Sequence, residues 1–99
     1  MHYRFNRTLM TGVGQAAVAR DFAARITNHV NETLGMTMEW GVQVFDEGRI
    51  VWTAEYPTLA AYEQDLEKLT ADATYWKLSQ EAKGMFVDGS LKDTLVGIM

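Results

Sequence analysis

Seven polar residues are spaced so that they can share one surface. Arg4, Asn6 and Thr8 alternate near the N-terminus, and Glu39, Gln43, Thr53 and Glu55 lie on two later alternating stretches. Alternate residues of an extended chain point to one side of a sheet. Facing water, Glu39 and Glu55 set opposite one another need no explanation; under cover, they could not both ionise easily. One of them would then hold a raised pKa and accept a proton from an acidic phenol or enol. Arg4 would stabilise the enolate so formed, and Asn6 would orient a carbonyl. The plainer alternative is that Arg4 pairs with one carboxylate in a structural network. No single catalytic residue can be assigned among the seven.

Other chemistries lack their parts. The chain has no cysteine, which removes disulfides and thiol chemistry, and its two isolated histidines, His2 and His29, make no metal-ligand set. His29 reads as a helix-surface residue. Ser79 and Ser90 stand in helix and turn contexts, without the strained elbow of a nucleophilic serine. Gly12-Val13-Gly14 is too short for a phosphate loop and lacks its lysine. The net charge of −4 argues against nucleic acid as a partner. No apolar run approaches the ~18 residues of a membrane span. The opening "MHYRFNRTLM" alternates at once, unlike a targeting peptide. A cytoplasmic protein is expected. Asn31-Glu32-Thr33 fits a glycosylation sequon only by coincidence.

The elements that must position these residues are legible in the periodicity. Ninety-nine residues suit one domain, residues 1–99. Tyr3, Phe5 and Leu9 oppose His2, Arg4, Asn6 and Thr8, which predicts a first strand with one polar face. Val18, Phe22, Ile26, Val30 and Leu34 recur every four residues as an amphipathic helix, stopped at Gly35. "MTMEWGVQVFDEGRIVWTAEYP" predicts a hairpin around Asp46-Glu47-Gly48. With Phe45 facing Arg49, Val44 pairs with Ile50, Val42 with Trp52, Trp40 with Ala54 and Met38 with Tyr56, all on one apolar face. The other face pairs Gln43 with Val51, Gly41 with Thr53 and Glu39 with Glu55. Thr58 caps a helix carrying Leu59, Tyr62, Leu66 and Leu69, and Asp72 caps a shorter one. Trp76, Tyr75 and Phe86 are expected to pack as core on the apolar sheet face. A last strand carries Leu91, Leu95, Val96 and Ile98. The order is βαββαβ: an α+β, ferredoxin-like domain whose helices cover one face of a four-stranded antiparallel sheet.

The C-terminal half, from "AEYPTLAAYEQDLEKL" through "DATYW" to "VDGS", resembles the dimeric α+β barrel proteins, especially the NIPSNAP-like members and the antibiotic-biosynthesis monooxygenases. Their acidic strand end, helix cap, "LAAYE" run, helix break and final turn fall on Glu55, Thr58, residues 59–63, residues 72–76 and residues 87–90. The break and the turn lack the expected prolines, at Ala73 and Asp88. The resemblance implies a homodimer closed by two sheets packed face to face. It also implies a cavity, lined by the seven polar residues, for a small hydrophobic or aromatic ligand. Related monooxygenases oxidise aromatic polyketides without metal or flavin, so no cofactor is implied. Haem-degrading relatives combine a first-strand Asn with a Trp and a His. Asn6 and Trp76 are present, but no His follows Trp76. Two functions remain: a cofactor-independent monooxygenase or isomerase acting on a small aromatic or polyketide-like molecule, or a non-catalytic protein that binds a small ligand or a partner.

Overall fold

The computed structural model describes residues 1–45 and 48–99. Along the chain run β1 (His2–Met10), α1 (Ala16–Leu34), β2 (Glu39–Val42), β3 (Arg49–Tyr56), α2 (Leu59–Ala71), α3 (Ala73–Glu81) and β4 (Lys92–Ile98). The strands form one antiparallel sheet in the order β2-β3-β1-β4. This is the ferredoxin-like arrangement that the periodicity predicts, with the expected break at Asp72 dividing the second helical stretch.

The period-two alternation sorts the sheet into two faces. Phe5, Ile50, Trp52, Ala54 and Tyr56 point to the helices and are buried. Arg4, Asn6 and Thr8 point the other way, beside their cross-strand partners Glu55, Thr53 and Val51 on β3 and Val96, Thr94 and Lys92 on β4.

The helices contribute unequally to the core. The stripe of α1 buries Ala19, Phe22, Ala23, Ile26, Thr27 and Val30, whereas α2 and α3 bury no residue fully. Ala19 and Ala23 have no exposed surface, so α1 lies close against its neighbours there. Phe22 meets Trp52 and Phe86 at ring-centroid distances of 6.4 and 5.9 Å, both edge-on. Gly35 ends α1 in the left-handed conformation at φ 69°. The Asn31 side chain then holds the departing backbone, accepting from Met38 N at 2.8 Å and donating to Met38 O at 2.9 Å. The side-chain amide of Asn31 therefore has a structural task.

The hairpin register differs from the one expected. Glu39 pairs with Thr53, Trp40 with Trp52, Gly41 with Val51 and Val42 with Ile50, a shift of two residues. Gln43 N still donates to Arg49 O at 2.9 Å, so the connection begins only after Gln43. The expected turn residues Asp46 and Glu47 lie outside the described residues. Val44 and Phe45 project from the sheet, exposed. A shift of two keeps every side chain on its expected face, but it separates Glu39 from Glu55.

Thr58 caps α2, accepting from Ala61 N at 3.1 Å, and Asp72 caps α3, accepting from Tyr75 N at 2.7 Å. Asp72 has a second partner. His29 Nε2 of α1 lies 2.6 Å from the same carboxylate, so this histidine is a half-buried link to α3 and not a free surface residue. Trp76 is likewise not core: it is half-exposed, and its indole N–H donates back to Thr70 O at 2.9 Å, where the end of α2 leaves carbonyls unpaired.

The hydrogen bond from His29, followed by that from Tyr75 N, holds the Asp72 carboxyl below its ordinary value of 3.8. A carboxylate depressed in the folded state stabilises the fold above its unfolded value and loses that contribution as pH falls through the folded value. Asp72→Asn keeps a capping oxygen but removes the charge. In thermal melts the wild type should be the more stable at neutral pH, and its advantage should vanish as pH falls through and below the carboxylate range.

Candidate functional site

Because α2 and α3 stand off from the sheet, space remains beneath them. A cavity of about 550 Å³ lies between the helices and the inner sheet face. Its floor is aromatic: Trp52 also meets Phe86 at 6.5 Å, and Phe5, Tyr56 and Tyr62 pack together at 5.6–5.7 Å. Exposed Leu66, Trp76, Val87 and Leu91 form its rim.

One ion pair breaks the apolar inner face. Arg7 shares that face of β1 with Tyr3, Phe5 and Leu9, and its strand partners are Trp52 and Asp93. Its guanidinium is matched to Asp93 by two parallel bonds, Nε to Oδ1 at 2.7 Å and Nη2 to Oδ2 at 2.8 Å. Nη1 donates to Tyr75 Oη at 3.0 Å. The bond to Asp93, against the cost of burial and with help from Tyr75, raises the Arg7 pKa above its already high ordinary value. Arg7 therefore stays charged under all working conditions. Phe5 lies under the guanidinium, 5.8 Å from carbon to ring centroid.

A second polar pair sits at the α2 side of the cavity. Tyr56 Oη donates to Asp65 Oδ2 at 2.8 Å, and Lys68 Nζ lies 3.7 Å from Asp65 Oδ1. Burial, then the Asp65 bond and charge, push the Tyr56 phenol well above its ordinary range, so it remains a protonated donor. Among the described residues, the buried Thr27 hydroxyl and Trp52 indole N–H have no hydrogen-bond partner, and both residues line this cavity.

The seven residues singled out by alternation do not line this inner cavity. Arg4, Asn6, Thr8, Glu39, Thr53 and Glu55 lie on the outer sheet face, with Gln43 just beyond the end of β2. Arg4 donates from Nε and Nη2 to Glu55 Oε1 at 2.9 and 2.8 Å, and His2 Nε2 lies 3.7 Å from Oε2. The Arg4 bond, with the charges of Arg4 and His2, holds the Glu55 carboxyl below its ordinary value despite some desolvation. The register sets Glu39 beside Thr53, so the opposed carboxylates needed for a raised pKa are not assembled. Arg7, Tyr75 and Asp93 were not among the seven. The available signal was the one cation in an otherwise apolar alternation, Tyr3-Phe5-Arg7-Leu9. No group of three or more potential metal ligands forms among the described residues. No helix there is long and apolar enough to cross a membrane.

Comparison with solved structures matches this architecture along almost the whole chain. An uncharacterised NIPSNAP-like domain protein from Burkholderia xenovorans superposes with a TM-score of 0.81 at 10% identity, covering 99% of this chain and 85% of its own. A protein from Deinococcus radiodurans provisionally assigned as an antibiotic biosynthesis monooxygenase gives 0.72 at 18% identity, covering 98% and 92%. A variant of SnoaB, a cofactor-independent oxygenase from Streptomyces nogalater, gives 0.69 at 12% identity, covering 98% and 92%. The fold is thus that of the NIPSNAP and monooxygenase-like α+β proteins. No family model and no curated protein matches the chain in sequence.

The paired charges make a stability prediction. Asp93→Leu leaves the more buried Arg7 guanidinium unpaired and should cost about 1.5–3 kcal/mol, the range for hydrogen bonds to charged groups. Arg7→Leu leaves a carboxylate that water can reach and should cost less, about 1 kcal/mol. Arg7→Leu combined with Asp93→Leu should recover most of that loss, because an apolar pair of similar volume replaces the ion pair. Urea unfolding of the three variants measures this.

Proposed function

We propose that the chain binds a small, largely apolar molecule in the cavity beneath α2 and α3. The observation that carries this reading is the cavity itself: about 550 Å³, aromatic in its floor, with a few polar side chains converging on it. Ligand sites are typically concave, mostly apolar and about 300–1,000 Å³ in volume, with a small number of placed polar groups. The shared fold of a cofactor-independent oxygenase supports a finer form, oxidation or isomerisation of a small aromatic or polyketide-like molecule without a cofactor. A second reading is binding without turnover. It is favoured by the carboxylates Asp93 and Asp65, which are already engaged by Arg7 and Tyr56, so neither is poised as a free base.

We further propose that the protein is a homodimer joined through the outer sheet face. That face carries no helix and mixes Val51, Val96 and Ile98 with polar groups. A chain of this length gains from added burial, and a stable seam needs roughly 1,000 Å² or more. Arg4, Asn6, Thr8, Glu39, Thr53 and Glu55 then form the polar part of the seam.

Two measurements test the two halves. Nile red should bind with a saturable rise in fluorescence, and Ser79→Trp, which fills the cavity, should abolish that rise while leaving a cooperative melt. Unchanged dye binding in the filled variant would place the site elsewhere. Light scattering at micromolar concentration should give twice the 11.2 kDa chain mass. Val51→Arg, at the centre of the outer face, should return the protein to one chain mass.

A further inference from the structure

The cavity is chemically lopsided, and its polar end has donors left over. Arg7 presents five N–H bonds. Three are used, by the two oxygens of Asp93 and the hydroxyl of Tyr75. Among the described residues, one hydrogen on Nη1 and one on Nη2 find no acceptor. Tyr75 Oη accepts from Arg7, so its own proton is not consumed by that bond. Both residues line the cavity, and neither end of the cluster is sealed from it: the Arg7 side chain keeps 28% of its surface accessible.

The fork also fixes the direction of these donors. Two parallel bonds to Asp93 hold the guanidinium plane, and the third bond orients Tyr75, whose backbone is itself set by the Asp72 cap at the start of α3. Arg7 is charged, but Asp93 neutralises it locally. The cluster therefore offers polarised hydrogens with no net charge, which suits a neutral or enolic oxygen better than a carboxylate. Nearby, the apolar floor of Phe22, Trp52 and Phe86 suits a flat hydrocarbon body.

We infer that Arg7 and Tyr75 are the specificity-determining residues of this cavity, and that they select an apolar ring compound bearing a hydroxyl or keto oxygen, which accepts from Tyr75 Oη and a remaining N–H of Arg7. The inference rests on the cavity being the ligand site. It assigns to the inner face the oxygen recognition that the spacing of Arg4 and Asn6 suggested for the outer one. Asp93 is a positioning residue, acting through the guanidinium it holds.

The test crosses two probes with three proteins. 2-Naphthol and naphthalene share a ring body and differ by the oxygen, and calorimetry gives their affinities for the wild type, Tyr75→Phe, and the Arg7→Leu/Asp93→Leu double variant. Tyr75→Phe keeps the ring and removes the hydroxyl. It should lower 2-naphthol affinity about tenfold, as expected for one good hydrogen bond, and leave naphthalene unchanged. The double variant avoids a stranded charge and should reduce the naphthol-to-naphthalene ratio at least as far. The absorbance titration of bound 2-naphthol should also move to higher pH in Tyr75→Phe than in the wild type, because the donor that favours the naphtholate is gone. A mere packing role for Tyr75 would move both probes together. If the naphthol-to-naphthalene ratio and the titration are the same in all three proteins, the inference is overturned while the cavity reading stands. If neither probe binds the wild type, both fall.

Discussion

The structure depends on how closely one helix can approach the sheet. Alanines at positions 19 and 23 let α1 settle with no accessible surface left between, and Phe22, Ile26 and Val30 complete a continuous stripe. Dispersion and burial are concentrated there. Once α1 has taken that contact, α2 and α3 are held mainly by aromatic and polar attachments: Tyr62 against Phe5 and Tyr56, Tyr56 to Asp65, and His29 to Asp72. Neither helix buries a residue fully, and the volume left between those attachments is the cavity. The hydrophobic core and the candidate site are thus two outcomes of one packing asymmetry.

Much of the fold was legible in the sequence because the two relevant periods differ so clearly. Alternation placed Phe5, Ile50, Trp52 and Tyr56 on one face and Arg4, Asn6 and Thr53 on the other, as found. The caps at Thr58 and Asp72 were equally readable, since a short acceptor before a helical run has few other uses. The hairpin register was not. A period of two cannot distinguish pairings that differ by two residues, so Val42 could be set against Trp52 or against Ile50 with the same apolar face. The chemistry drawn from the first pairing, an opposed Glu39 and Glu55, was lost with it.

The site was harder to read than the scaffold for a related reason. Tyr75 and Asp93 lie 68 and 86 residues from Arg7 and meet it only through the β1–β4 register and the placement of α3. Composition gives no hint of such a meeting. What the sequence does show is a violation, one cation where the alternation calls for an apolar residue. Local rules fail where function or compensation overrides them, and this position was the informative one. Fold likeness alone adds the architecture of NIPSNAP and oxygenase proteins at 10–18% identity, while chemistry has to be argued from the side chains on the wall.

The absence of fully buried residues in α2 and α3 bears on how such a protein can change over generations. Substitutions in α1 fall on close-packed positions, where a change of one methylene group is felt. Substitutions along α2 and α3 fall on positions such as Leu66 and Trp76 that are half in water, where the usual effect on stability is small. The outer wall of the cavity can therefore drift and acquire new side chains without unfolding the protein. Foldedness is inherited through one helix, and novelty is explored on the other two.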